Sequence, residues 1–185
     1  MAKTELRLKY KSEGFGKPFP DGTYGIRNDL KTYELLVDEV PVISLSLEYE
    51  RFSSKKPNYA AVFISYDNNY FLSKNTEYLN KGYATLALDT ITESLLREGD
   101  VPRITLNIAK DNLASQRVAE KVGYKYIKND EYSVYHPNAI KMIEEGLSYL
   151  KDTDMEIYDL QMHSALGQYR RYIEACLPKE ESKKL

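Results

Sequence analysis

The spacing of apolar residues changes partway along this chain, and that change limits the possible folds more than any other feature. Up to about residue 72 apolar and polar side chains alternate, as at Leu6, Leu8 and Tyr10, which is the period of a β-strand. Across residues 84–95 the apolar side chains recur every three or four positions, which is the period of one helix face. Residues 103–109 return to a period of two. This strand, helix and strand predict a crossover that joins two parallel strands.

Strand patterns on both sides of the crossover predict antiparallel pairing. Residues 33–37 and 40–49 alternate around Asp38-Glu39, which predicts a hairpin, and residues 59–65 predict the strand before the crossover helix. Short alternating runs at 124–127 and 132–136 predict two more strands. The expected fold is therefore α/β (α+β), with a mixed, mostly antiparallel sheet and a central β-α-β crossover.

The C-terminal part of the chain has helical periodicity. From Asn138 the apolar residues recur at helical spacing, with a polar break at 151–154 and a second run over 155–177. We therefore expect two units, a domain over residues 1–136 and a helical extension over residues 137–185. The extension is expected to pack on the same domain or on the partner of a homodimer.

Composition excludes several classes of protein. The 185 residues carry a formal net charge of −2, which argues against general nucleic-acid binding. One cysteine, Cys176, and two histidines, His136 and His163, indicate neither a disulfide nor a metal site. We expect Cys176 to be a small core residue and His136 to have a structural role. No signal-peptide core and no run of about 18 apolar residues is present, so the expected location is cytoplasmic and away from membranes.

The turn between the first half and the crossover helix is a candidate anion site. It reads Tyr-Leu-Asn-Lys-Gly-Tyr-Ala-Thr over residues 78–85. Helix N-termini present unpaired N–H groups and a partial positive charge. Gly82 would let the backbone approach a ligand, Ala84 would leave the first turn uncrowded, and Lys81 would add charge. An ordinary strand-to-helix turn explains the same residues, whereas the three-glycine dinucleotide fingerprint and the P-loop ending in Gly-Lys-Ser/Thr are both absent.

Two segments in order resemble the GNAT superfamily of N-acetyltransferases. The turn from Leu79 to Thr85 is similar to the family fingerprint Arg/Gln-x-x-Gly-x-Gly/Ala, and it is followed by a strand. Asn112-Leu113-Ala114-Ser115, and then Glu120-Lys121-Val122-Gly123-Tyr124, is similar to the family's Asn-x-x-Ser and Glu-Lys-x-Gly-Phe/Tyr. The resemblance covers residues 59–136 and is closest to the branch that includes the ribosomal-protein N-terminal acetyltransferases.

This resemblance implies acetyl-CoA as the co-substrate and no metal. Backbone N–H groups of the turn would hold the CoA pyrophosphate, a strand end would pair with the pantetheine arm, and an asparagine would position the cofactor. The implied cofactor-binding residues are Leu72, Ser73, Lys74, Leu79, Asn80, Lys81, Gly82, Tyr83, Ala84, Thr85 and Asn112. The chain departs from the family at Leu79, where an Arg or Gln is usual, and at Ala119, where many members carry a proton-donating Tyr.

Acylation of an amine needs a base for the amine and a group that stabilises the leaving thiolate. Asp67 is the candidate base, with Glu48 and Glu50 as further carboxylates, and a solvent-facing strand charge is the alternative for each. Ser115 is the candidate acid or thiolate-binding group, as the resemblance implies, and a local helix cap is its alternative. Tyr124 and Tyr132 are proton-donor candidates by residue type.

The sequence therefore predicts an N-acetyltransferase that moves an acetyl group from acetyl-CoA to a primary amine by direct attack in a ternary complex. The acceptor would be a small molecule or a protein. A non-catalytic CoA-binding sensor, or a protein-interaction module on the same fold, is the alternative.

Overall fold

The structure is a computed structural model that describes residues 1–13, 26–52, 60–67, 76–98 and 101–178. In this part of the chain seven strands form one sheet, and four α-helices and two 3-10 turns accompany it. The strands are β1 (Thr4–Glu13), β2 (Ile26–Val37), β3 (Val40–Phe52), β4 (Ala60–Asp67), β5 (Arg103–Asn107), β6 (Lys125–Lys128) and β7 (Glu131–Tyr135). The helices are α1 (Tyr83–Glu98), α2 (Leu113–Val122), α3 (Ala139–Leu147) and α4 (Met155–Cys176), and the 3-10 turns are Thr76–Tyr78 and Ser148–Asp152.

The sheet has the strand order β1-β2-β3-β4-β5-β7-β6. Neighbouring strands are antiparallel except β4 and β5, which are parallel and are joined through α1. This confirms the mixed, mostly antiparallel sheet with a central crossover. Because the two strands point the same way, α1 must run back across the sheet between them.

The β2–β3 hairpin turns at Asp38 and Glu39, which have φ angles of 48° and 70°. Two successive positive φ values match the right-handed twist of the flanking strands, and Asp38 tolerates this conformation better than most residues, whereas Glu39 is an uncommon residue at a positive φ. The register pairs Leu35 with Ile43 and Leu36 with Pro41, so it skips Val42. Val42 and Ile43 are consequently both buried, although strict alternation predicts that they lie on opposite faces.

The main core lies between α1 and one face of the sheet. The crossover helix buries Ala87, Leu88, Ile91 and Leu95, and this spacing confirms the helix predicted from the sequence. The sheet contributes the apolar residues Leu45, Leu47, Ile104 and Leu106, all of them almost fully buried. Each fully buried aliphatic side chain of this size contributes about 1.5–3 kcal/mol to folding, so this layer fixes α1 on the sheet.

Helix α4 contacts the opposite face of β5 and β7. The ring of Tyr135 lies 5.3 Å from that of Tyr169 and 4.7 Å from that of Tyr172, and Arg103 donates a hydrogen bond to Gln168. Arg103 and Tyr135 alternate along their strands with Ile104 and Val134, which face α1. The C-terminal helices predicted from the sequence are present, while the boundary at residue 136 stays a prediction.

Two expectations about the C-terminal part have different outcomes. Cys176 is exposed at the last position of α4, so the prediction of a small core residue is wrong. His136 has a structural contact, because its Nδ1 accepts a hydrogen bond from the backbone N–H of Asn138 at 3.0 Å. Among the helices in the described ranges, none combines the length and apolar character that a membrane span requires.

Candidate functional site

The ends of β4 and β5 meet the start of two helices at one edge of the sheet. Because α1 runs back between parallel strands, its first turn lies at the edge where β4 and β5 end. Helix α2 begins shortly after β5 at the same edge. In open sheets with parallel strands, ligands bind in the crevice outside the carboxyl ends of the strands. The topology thus brings the turn before α1, Asp67 and Asn112 to one region.

Strands β4 and β5 pair only over their first part. The register joins Ala61 to Arg103, Val62 to Ile104 and Phe63 to Thr105, and no later pair occurs in the described ranges. Beyond Phe63, residues 64–67 of β4 remain paired with β3, and residues 106–107 of β5 remain paired with β7. The facing edges therefore separate, and their backbone N–H and C=O groups can bind an extended ligand that carries amide groups.

The turn before α1 has the backbone of an anion site. Asn80 and Gly82 have φ angles of 59° and 80°, and the carbonyl of Gly82 accepts the first helical hydrogen bond, from Leu86 N–H at 2.9 Å. The N–H groups that follow have no acceptor within the helix, as at every helix start. No acidic residue occupies the first turn of α1, so the positive end of the helix is not neutralised there by a carboxylate.

The space in front of Gly82 is open. A Cβ built on Gly82 meets no atom within 4 Å among the described residues. The positive φ favours glycine here, and the exposed backbone also permits a close approach by a ligand. Lys81 is exposed beside it. These observations fit the predicted pyrophosphate site, and they also fit an ordinary turn that needs a left-handed glycine.

The other side chains of the turn are packed to different degrees. Leu79 is 41% exposed, while Tyr83, Ala84 and Thr85 are partly buried. The rings of Tyr78 and Tyr83 lie 6.1 Å apart and pack against the main core. Partial burial raises the pKa of the Tyr78 phenol, and the carboxylates of Glu77 and Asp38 raise it further, so this hydroxyl stays neutral at pH 7.

The start of α2 is held by Asn112. Its Oδ1 accepts a hydrogen bond from the backbone N–H of Ser115 at 3.1 Å, which is the N-cap arrangement. At the other end Gly123 has a φ of 103°, and its N–H bonds to carbonyl groups of the last turn. Both helix signals predicted from the sequence are therefore present. Ser115 is 6% exposed in the first turn, where the cap hydrogen bond uses its backbone and leaves its hydroxyl free of that role.

The candidate carboxylates lie at different places along the sheet. Asp67 pairs in register with Ser44 at the end of β4, alongside the separated strands. Glu48 pairs with Phe63 and Glu50 with Ala61, where β4 is still joined to β5. Asp67 is thus the candidate base that the backbone places at the open edge. The predicted strand end at Leu72, Ser73 and Lys74 lies outside the described residues.

Two tyrosines that are proton-donor candidates by residue type have different surroundings. Tyr124 is fully buried, its hydroxyl lies 2.8 Å from that of Thr92, and burial raises its pKa well above the ordinary value. It joins α1 to the end of α2, so its assignment as a proton donor is not supported. Tyr132 lies on β7, where it pairs with Leu106 near the end of β5, and it lines a cavity beside α2.

The separation of β4 and β5 is a feature that the sequence did not reveal. Its groups are backbone N–H and C=O, which every residue carries, so no side-chain pattern signals it. The apolar alternation of residues 59–65 was consistent with pairing along the whole strand.

A family model described as "Acetyltransferase (GNAT) domain" matches residues 56–125. The match contains the separated part of β4, the turn before α1 and the whole of α2. It confirms the resemblance to the GNAT acetyltransferases that the sequence shows over this segment. None of the curated proteins compared with the chain matches it significantly.

Several solved structures are distantly similar to the chain. A RimL ribosomal L7/L12 alpha-N-protein acetyltransferase in complex with coenzyme A is 18% identical, with 57% of this chain and 62% of that chain covered at a TM-score of 0.41. A GNAT-family acetyltransferase from Bacillus anthracis is 19% identical, with 57% and 66% covered at a TM-score of 0.44. The aminoglycoside acetyltransferase AAC(6')-Ib in complex with coenzyme A is 16% identical, with 60% and 69% covered at a TM-score of 0.42. The chain thus spans less than two thirds of the length of the first two, and likeness at this level assigns neither substrate nor mechanism.

Proposed function

We propose that the chain transfers an acetyl group from acetyl-CoA to a primary amine by direct attack within a ternary complex. One observation carries the proposal: the open turn at Gly82 and the separated ends of β4 and β5 lie at one edge of the sheet, inside the segment that matches the GNAT family. The acceptor is proposed to be a primary amine of a small molecule or of a protein. The homodimer through the C-terminal helices and the cytoplasmic location stay predictions.

The residues of the turn fit the diphosphate of acetyl-CoA. When bound, acetyl-CoA supplies an acetyl thioester that an amine can attack. Backbone N–H groups from Gly82 to Thr85 would bind the pyrophosphate at the positive end of α1, and Lys81 would add a mobile positive charge. Leu79 offers no donor where the family fingerprint has Arg or Gln, so binding here would depend on the backbone.

The separated strands fit the amide groups of the pantetheine arm. Residues 64–67 of β4 and 106–107 of β5 would donate to and accept from it as an added strand does. Asn112 would contribute the N–H₂ end of its amide, because its oxygen already caps α2. These contacts would orient the thioester between the strands.

Asp67 and Ser115 are proposed to move protons. Asp67 would accept a proton from the incoming ammonium, directly or through water, which leaves a neutral and nucleophilic amine. The Ser115 hydroxyl, nearly buried at the start of α2, would donate a hydrogen bond to the leaving sulfur and relay to it the proton that the attacking nitrogen loses, so the serine itself ends protonated. Burial strengthens such a hydrogen bond, because water does not compete for the sulfur.

Isothermal titration calorimetry with acetyl-CoA tests the first requirement of this proposal. We expect saturable binding with a dissociation constant at or below the millimolar range, followed by release of free CoA thiol when a panel of amines is added. The panel should contain peptides with free N-termini, polyamines, aminoglycosides and amino acids. The absence of both a heat of binding and a thermal shift at millimolar acetyl-CoA would disprove the proposal.

A non-catalytic CoA sensor is the second candidate, and one observation favours it. Ala119 occupies the position where many GNAT members carry a proton-donating Tyr, and it is fully buried against the core. A larger side chain would not fit there without displacing its neighbours. The sensor hypothesis predicts the same CoA binding but no thiol release with any amine, so the same titration and assay separate the two functions.

A further inference from the structure

A cavity lies beside the start of α2 and shares no lining residue with the turn before α1. It has a volume of about 240 Å³ and lies between α2 and the β6–β7 hairpin. Its lining consists of Ile108, Lys110, Gln116, Tyr126, Asp130 and Tyr132. None of these residues belongs to the proposed cofactor turn or to the pair Asp67 and Ser115. Pockets for drug-sized ligands are larger than this, so the volume suits a ligand of only a few heavy atoms.

Two aromatic rings form one wall of the cavity. Tyr126 and Tyr132 are paired across β6 and β7, and their rings meet edge to face with centroids 5.5 Å apart. Aromatic ring faces carry negative electrostatic potential and attract organic cations that lie over them.

Asp130 adds a carboxylate, one oxygen of which has no hydrogen-bond donor among the described residues. Its backbone has a φ of 64° in the β6–β7 turn, and its carbonyl accepts a hydrogen bond from Ile108 N–H at 2.9 Å, which fixes its position. Its Oδ1 atom is buried and accepts no hydrogen bond from any described residue. A buried acceptor without a partner leaves the charge of this carboxylate poorly solvated, which favours a cation near the part of the carboxyl group that faces the cavity.

The charges around the cavity favour a cation over an anion. Burial raises the pKa of Tyr132, and the nearby carboxylates of Glu120 and Asp130 raise it further. Lys110 is the one cationic residue of the lining, and its side chain is exposed. Gln116 donates to the carbonyls of Ala109 and Lys110 at 3.1 and 3.0 Å, so it holds the loop at the rim.

We propose that this cavity binds a small primary alkylammonium ion, which donates hydrogen bonds to the Asp130 carboxylate and packs against the rings of Tyr126 and Tyr132. Its lining residues differ from those of the proposed transfer site, and binding here does not require that the chain transfers acetyl groups.

The test uses n-butylammonium chloride as the probe and n-butanol as its uncharged analogue, with sodium chloride matched in all samples. In ¹⁵N-labelled full-length protein, n-butylammonium should shift the backbone amides of Ile108, Asp130 and Tyr132 and the side-chain amide of Gln116 in a saturable way. n-Butanol should not produce these shifts at the same concentration.

The Asp130→Asn variant should lower the affinity for n-butylammonium at least about tenfold, because a charge-assisted hydrogen bond is lost. Asn tolerates the left-handed conformation of this turn, so we expect the variant to fold. Asp159→Asn, which removes an exposed carboxylate from α4, is the matched control and should bind as the unmodified protein does.

Three results would overturn the proposal. The first is that n-butanol produces equal shifts. The second is that no saturable shifts occur at the cavity up to about 50 mM n-butylammonium, which is far above the binding range of a functional site. The third is that Asp130→Asn binds n-butylammonium with unchanged affinity. If Asp130→Asn does not fold, the proposal is still tested by comparing the shifts that n-butylammonium and n-butanol produce in the unmodified protein.

Discussion

The hydroxyl oxygens of Thr92 and Tyr124 lie 2.8 Å apart in the protein interior. Thr92 belongs to α1 and Tyr124 follows Gly123 at the end of α2, so this hydrogen bond joins the helices of the two GNAT-like segments. Both helices begin at the candidate site, and their relative position determines the distance between the turn at Gly82 and the cap at Asn112. The bond therefore stabilises the site from a distance.

Tyr124→Phe should lower the free energy of unfolding by about 1–3 kcal/mol, because it leaves the buried Thr92 hydroxyl without its partner. Chemical denaturation measures this loss. Tyr10→Phe, which removes an exposed hydroxyl, is the control and should change stability by less than about 0.5 kcal/mol. The double variant Thr92→Val with Tyr124→Phe should recover part of the loss. If Tyr124→Phe were as stable as the control Tyr10→Phe, the hydrogen bond would have no stabilising role.

Gly82→Ala should weaken acetyl-CoA binding about tenfold or more, because a methyl group would stand where the pyrophosphate approaches the backbone. The positive φ of 80° should also reduce stability by about 1–2 kcal/mol. Gly167→Ala in α4 is the matched control. There a Cβ meets only the side chain of Arg171, at 3.9 Å, so affinity should not change and stability should rise by up to about 1 kcal/mol. Calorimetry that gives equal affinities for the two variants would exclude this turn as the cofactor site.

Leu79→Arg should strengthen acetyl-CoA binding by about threefold to tenfold, because a guanidinium donates to phosphate where leucine cannot. The change should appear in the dissociation constant and in the KM for acetyl-CoA, with kcat little affected. Leu86→Arg is a close control, since the two leucines are 41% and 39% exposed and Leu86 lies one turn into α1. If Leu86→Arg strengthens binding equally, the effect is a general one of added charge.

Asn112→Ala should cost about 1 kcal/mol of stability through loss of the helix cap. Asp154→Ala removes an equivalent cap from α4, where Asp154 Oδ1 accepts from Ile157 N–H at 3.1 Å, and should cost a similar amount. We expect only Asn112→Ala to reduce acetyl-CoA affinity, by about tenfold. Equal affinities in the two variants would restrict Asn112 to the local capping role.

Ser115→Ala should reduce kcat about tenfold or more while the KM for acetyl-CoA stays close to that of the unmodified protein. The hydroxyl is proposed to act on the leaving thiolate and not on the bound cofactor as a whole. Ser133→Ala is the control for a buried hydroxyl, because Ser133 bonds to Thr105 at 3.1 Å on the α4 side of the sheet. That variant should lose stability but keep kcat, and a similar kcat in both variants would exclude Ser115 as the proton donor.

Local sequence determined most of the elements and several of their ends, although it predicted only residues 33–37 of β2 (Ile26–Val37). The periodicity of residues 84–95 predicted α1, and the turn residues Asp38 and Glu39 predicted the hairpin between β2 and β3. Asn112 and Gly123 marked the ends of α2. Each of these signals depends on side-chain spacing or on a backbone conformation within a few residues, so it can be read without knowledge of the fold. Asn112 and Gly123 also belong to the segments that carried the GNAT resemblance, which the family model confirms over residues 56–125.

The arrangement of the site was decided only by tertiary structure. Tyr124 was a proton-donor candidate by residue type, and its contact with Thr92 depends on how two helices pack. Asp67 was one of three carboxylates, and only strand register places it at the open edge of β4. The separation of β4 from β5 after Phe63 involves backbone groups that all residues share, so it follows from long-range strand geometry and leaves no pattern in the sequence.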